Sequence, residues 1–161
     1  MHKNVNSDAA QAAAVSRLED HTGYWLRLVS NHVSQGFSHK VEAAGVTVSE
    51  WVVLRAMYDG SCTGAAALTQ ALGLSKGAIS KLLDRLQGKG LVRKTIVEVD
   101  RRNQELALTP AGRDLVPELA RLADQNDEEF FGRLPASSRA ALLAALQTLV
   151  SQHQLQGVPV E

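Results

Sequence analysis

The chain has a single cysteine, Cys62, so no disulfide can close within it, which fits a reducing compartment. No stretch approaches the roughly 18 consecutive apolar residues of a membrane-spanning helix. The opening MHKNVNSDAAQAAAV has no charged segment leading into an apolar one, so it does not read as a secretory signal. Lysine and arginine together number 17, as do aspartate and glutamate, so the overall charge singles out no partner. No phosphate-binding glycine loop, zinc spacing or nucleophile–base pair stands out, and the Ser75 of LSKG reads as a helix cap. Neither an enzyme nor a cofactor or metal is expected. Low-complexity segments and internal repeats are also missing. The expectation is a soluble, cytoplasmic protein of 161 residues, forming one intertwined domain, with 45% apolar residues to fill a core.

The charge is unevenly spread. Between Ser75 and Arg102 stand eight positive residues and only three negative ones, Asp84, Glu98 and Asp100. The remainder of the chain is correspondingly acidic. Such a segment attracts polyanions locally, while the acidic remainder discourages indiscriminate sticking.

Residues 1–11 are polar and aperiodic and are expected to be flexible. From Ala12 to Ala43 apolar positions recur at helical spacing through Val15, Leu18, Trp25, Val29, Val33 and Phe37, with Gly23 and Gly36 as weakening residues. TVSE, Thr47 to Glu50, reads as a capping box opening a helix to Tyr58. Thr63 is expected to cap a short helix, 64–72; Gly73 turns the chain, Leu74 plugs the core and Ser75 caps a helix to Gly88. LVRKTIVEV and QELALT flank the polar DRRN, which predicts a β-hairpin with arginines at its tip. Thr109-Pro110 starts a helix to Phe131, and a last helix follows over 136–154. The pattern predicts a mainly α fold with a small β-hairpin: a winged helix–turn–helix over 46–109, flanked by helical regions at 12–45 and 110–155.

The helix after Ser75 carries an apolar stripe, Ile79, Leu82, Leu83 and Leu86, opposite small and cationic residues. A recognition helix must enter a major groove about 12 Å wide, close to its own diameter. Gly77, Ala78 and Ser80 would let its backbone approach the base edges, and Lys76 and Lys81 would reach phosphates or guanine acceptors. The amides at the Ser75 end offer positive partial charge to a phosphate. Taken alone, such a helix could be an ordinary solvated one; the basic hairpin directly behind it favours DNA. Arg93 and Lys94 would face phosphates or water, and Asp100 would brace Arg102, leaving Arg101 to enter a narrow minor groove.

The run LTQALGLSKGAISKLLDRLQGKGLVRKTIVEVDRRNQELALTPAG closely resembles the DNA-binding half of the MarR family, the multiple-antibiotic-resistance regulators. VTVSEWVVLRAM is similar to that family's second helix, and the likeness extends over residues 18–149. The resemblance implies a homodimer whose first and last helices interlock, bound to a pseudopalindromic operator, usually as a repressor. It implies that Ser75, Lys76, Gly77, Ala78, Ser80 and Lys81 lie at the major groove and that Asp100, Arg101 and Arg102 form the wing tip; by helical spacing Arg85 flanks the same face and is a further DNA-binding candidate. Pro135 departs from the family, standing where many relatives have a capping serine. Dimerisation also follows from the apolar stripes of the two terminal helices, which need burial somewhere.

The resemblance further implies a pocket for a small aromatic or amphipathic effector, with Trp25, His32 and Trp51 as candidate lining residues. Both tryptophans read more readily as core or dimer-interface residues. The alternative to a DNA-binding regulator is a winged helix serving as a protein-interaction module, which would need an apolar rather than lysine-bearing recognition helix.

Overall fold

A computed structural model of the chain describes residues 15–96 and 104–160. Its elements are α1 (Thr22–Ala43), α2 (Val48–Tyr58), α3 (Ala65–Leu72), α4 (Lys76–Gly88), β1 (Val92–Ile96), β2 (Gln104–Leu108), α5 (Pro110–Phe131) and α6 (Ala136–Gln152), in the order expected. Among the described residues no helix is long and apolar enough to cross a membrane. The chain divides between His32 and Val33 into two units.

The first unit corrects one expectation: α1 begins at Thr22, not at Ala12. Leu18–Asp20 instead forms a single 3-10 turn. The Arg17 amide donates to the Asp20 carboxylate at 2.9 Å, and the Trp25 indole donates to the Glu19 carbonyl at 2.9 Å. That carbonyl would otherwise serve the first turn of a continuous helix, so local side chains divert the backbone. Trp25 packs edge-on to Tyr24, yet half of its surface is exposed.

In the second unit the core is built from α2, α3, α4, α5 and the hairpin. Val53 and Leu54 of α2, Leu68 of α3, Ile79 and Leu86 of α4 and Leu119 of α5 are fully buried. The capping box predicted at α2 is present: Thr47 Oγ1 accepts from the Glu50 amide at 3.2 Å, and Glu50 Oε2 accepts from the Thr47 amide at 2.8 Å. Buried Glu50 also takes the ammonium of Lys89, at 2.7 Å, which donates as well to the Gly45 carbonyl. This pair pins the C-terminal end of α4 to the start of α2. Burying a carboxylate this deeply without such hydrogen-bond partners would be costly.

Gly64, rather than Thr63, is the N-cap of α3, and no side chain caps it. The Thr63 carbonyl instead accepts from the Leu106 amide at 2.8 Å, tying the loop to the hairpin. Gly73 closes α3 with φ +67°, a left-handed conformation that costs glycine little. Gly36, read above as a weak point of α1, has a packing role: a Cβ there would stand 2.9 Å from Asn126 Oδ1 and 3.0 Å from Phe130. Its bareness lets α5 approach closely enough for buried Asn126 to donate to the Val33 carbonyl at 3.1 Å.

Candidate nucleic-acid interface and adjoining pocket

The helix α4 is held by its apolar stripe. Ile79, Leu82, Leu83 and Leu86 are all buried, which turns the opposite side to solvent. Ser75 caps it, its hydroxyl accepting from the Ala78 amide at 3.2 Å. Ser75, Lys76, Gly77, Ser80, Lys81 and Arg85 are exposed, and Ala78 is half-buried. A Cβ built on Gly77 would meet nothing within 4 Å, so the surface there is open. The result is a groove-sized ridge, small at its start and cationic along its length.

The hairpin divides Arg93 from Lys94, which the sequence had suggested would act together. Strand register sets Val92 opposite Leu108 and Lys94 opposite Leu106, on the face that packs inward; Arg93 opposes Ala107 on the other. Arg93 is exposed. Lys94 is only 17% exposed and is ion-paired with Asp84 of α4. Lys94 therefore braces the hairpin against α4. Asp100, Arg101 and Arg102, the expected wing tip, lie outside the described residues.

A cavity of about 490 Å³ opens beside this framework. Val33, Phe37, Val48, Trp51 and Val52 supply much of its apolar wall, with Asn126 and Asp127 of α5 at its polar side. The tail after α6 closes it through Val158, Pro159 and Val160. The sequence reading treated this tail as plain loop. Nothing local in QGVPVE signals its docking, which depends on Ser49 and Leu72, more than eighty residues away. Of the candidate effector residues, Trp51 lines this cavity, whereas Trp25 and His32 are not among its lining residues and are exposed. Cys62 is buried.

A further exposed surface belongs to α6. No residue of this helix is buried, and Leu143, Leu149 and Val150 are 57%, 44% and 49% exposed.

Comparison with known proteins agrees with this architecture. A family model described as MarR family matches residues 44–103, from the end of α1 to the hairpin. The chain is similar to the transcriptional regulator HosA of Escherichia coli, with 27% identity over 110 residues, covering 68% of this chain and 82% of HosA. Among solved structures it is similar to BpsR of Bordetella bronchiseptica, at TM-score 0.71 and 24% identity over 84% of this chain and 97% of that one. It also resembles a variant of Escherichia coli MarR complexed with operator DNA, at TM-score 0.69 and 22% identity over 80% of this chain and 92% of that one. The buried stripe of α4, its small cationic outer side and the antiparallel hairpin behind it agree with that likeness: residues 44–103 match the MarR family model, and the relative HosA is a transcriptional regulator.

Proposed function

We propose that the protein is a sequence-specific, double-stranded DNA-binding regulator that acts in the cytoplasm as a homodimeric repressor and is released by a small molecule. The observation that carries this reading is the exposed side of α4, where Lys76, Gly77, Ser80, Lys81 and Arg85 combine small size with positive charge. Lysine and arginine there neutralise phosphates and release counterions, and the capped helix start offers amides to a phosphate. A protein-docking role for the same helix would call for apolar side chains outward, and those of α4 point into its own core.

Two copies are required for two half-sites. The bare leucines of α6 supply apolar surface whose removal from water stabilises association by about 25 cal/mol per Å². A two-fold axis through such helices would set the recognition helices one DNA turn apart, about 34 Å. Relatives support the ligand step: one similar structure concerns regulation of BpsR DNA binding by 6-hydroxynicotinic acid, and another contains operator DNA. A ligand that alters the spacing of the two recognition helices would misalign one half-site and release the DNA.

Selection of bound sequences from random duplex DNA tests this reading. The expected result is a two-fold symmetric consensus bound by a dimer. Enrichment of no sequence, with affinity unchanged by salt, would overturn it.

A further inference from the structure

We infer that Lys89 is a positioning residue for the reading of DNA: with Glu50 it forms a latch that fixes the tilt of α4, so that the outer side of this helix meets base edges in register. This deepens the DNA-binding reading proposed above and rests on it. By charge alone Lys89 belongs with the eight positive residues between Ser75 and Arg102 that would attract a polyanion. Its ammonium is directed instead into the protein's own frame.

Burial of Ile79, Leu82, Leu83 and Leu86 decides which side of α4 turns inward. Apolar burial is non-directional, so it defines tilt and sliding only weakly. Directional bonds must supply the rest. Among the described residues two ion pairs reach this helix and its C-cap: Lys94 with Asp84, and Lys89 with Glu50 at 2.7 Å. The first joins α4 to the hairpin directly after it in the chain. Of the two, only the second ties it to another part of the subunit, the first turn of α2.

The latch is fixed at both of its ends. An ammonium has three N–H groups, and Lys89 spends two: one on Glu50 Oε2 and one, at 2.8 Å, on the Gly45 carbonyl in the turn before α2. Glu50 is buried, and the same Oε2 accepts from the Thr47 amide, so the anchor is already held by its own helix cap. Lys89 is in turn the C-cap of α4, its amide bonded to the Arg85 carbonyl at 3.0 Å. Movement at the end of α4 would therefore break the bonds to α2 or those of the cap.

The exposed Gly77, Ser80 and Lys81 lie towards the opposite end of the helix. From Lys76 to Lys89 the helix rises about 20 Å, at about 1.5 Å per residue. A tilt of about 10° at the latched end would shift the far end by about 3 Å, the length of a hydrogen bond. Long, flexible lysine side chains follow a phosphate over such a distance, whereas a contact to a base edge is lost. Loss of the latch thus costs discrimination between sequences and spares general affinity for DNA.

Lys89→Met alone would strand a buried carboxylate, so the test pairs it with Glu50→Gln, whose amide oxygen can still close the Thr47 cap. Affinity is measured, across a salt series, for the duplex selected from random DNA and for an unrelated duplex. In the double variant the ratio of the two affinities should fall at least about tenfold, the scale of one lost base contact. Affinity for the unrelated duplex should stay within about twofold, with the salt slope unchanged. Glu50→Gln alone keeps an acceptor for Lys89 and should hold the ratio within about threefold of wild type. Amide exchange at Lys89, Gly90 and Leu91, which close the end of α4, should quicken at least about tenfold in the double variant. An unchanged ratio, unchanged exchange, or equal loss of both affinities with a salt slope lower by about one unit, the mark of a phosphate contact, would each sink the inference alone. A wild type that prefers no duplex would instead mark failure of the DNA-binding reading, and the inference would fall with it.

Discussion

The helices α4 and α6 both carry several large apolar side chains, and they dispose of them in opposite ways. In α4 the four stripe residues are buried within the subunit, and the charges face out. In α6 nothing is buried, and leucines and a valine face water. The first helix is complete in one chain; in the homodimer proposed above, the second would be half of a contact. A reading head must be rigid and bare on its outer side, so its core has to come from its own chain. An association helix must keep its apolar side for its partner.

That contrast can be broken at either end. The largest effect is expected in the core under α4: Ile79→Ala deletes a fully buried side chain and should cost about 2–5 kcal/mol in urea denaturation. Leu143→Asp combined with Leu149→Asp on α6 should instead leave the subunit's far-ultraviolet dichroism intact. Subunit dissociation, followed by sedimentation, should be favoured more than about a hundredfold, since each buried leucine contributes about 1.5–3 kcal/mol. If the two classes of variant behaved alike, the distinction between the helices would fail.

Smaller effects sharpen the outer side of α4. Lys81→Ala should change stability by less than about 0.5 kcal/mol and lower the salt dependence of DNA binding by about one unit. Lys94→Ala should behave differently, because Lys94 pairs with Asp84: thermal stability should fall while the salt slope stays nearly constant. The smallest effect concerns the link from α1 to α5. The Lys40 ammonium, hydrogen-bonded to Glu129, and then the Gln125 amide hold the Glu129 carboxyl below its ordinary value of 4.5. Its contribution is therefore present above that value and lost as pH falls through the lowered one. Glu129→Gln should slightly flatten the acid limb of a stability–pH curve, a modest change for so exposed a group.

Much of the fold was legible because it is written in short-range chemistry. Ser75 caps through an amide three residues on, Thr47 and Glu50 exchange bonds across the same span, and Thr109 caps α5 through Gly112. The stripe of α4 follows from helical spacing alone. The start of α1 was misjudged because its apolar period continues upstream while Trp25 and Asp20 take backbone partners of their own.

The sequence by itself determined the element order, the caps and the cationic outer side of α4, since each depends on neighbours within a turn of the chain. Only the tertiary structure decided that Lys94 braces α4, that Glu50 holds Lys89 and that the tail rests on the turn after Leu72. Those contacts join residues ten, thirty-nine and eighty-six positions apart. Their partners are selected by strand register and helix packing, and neither is encoded in any local run of residues.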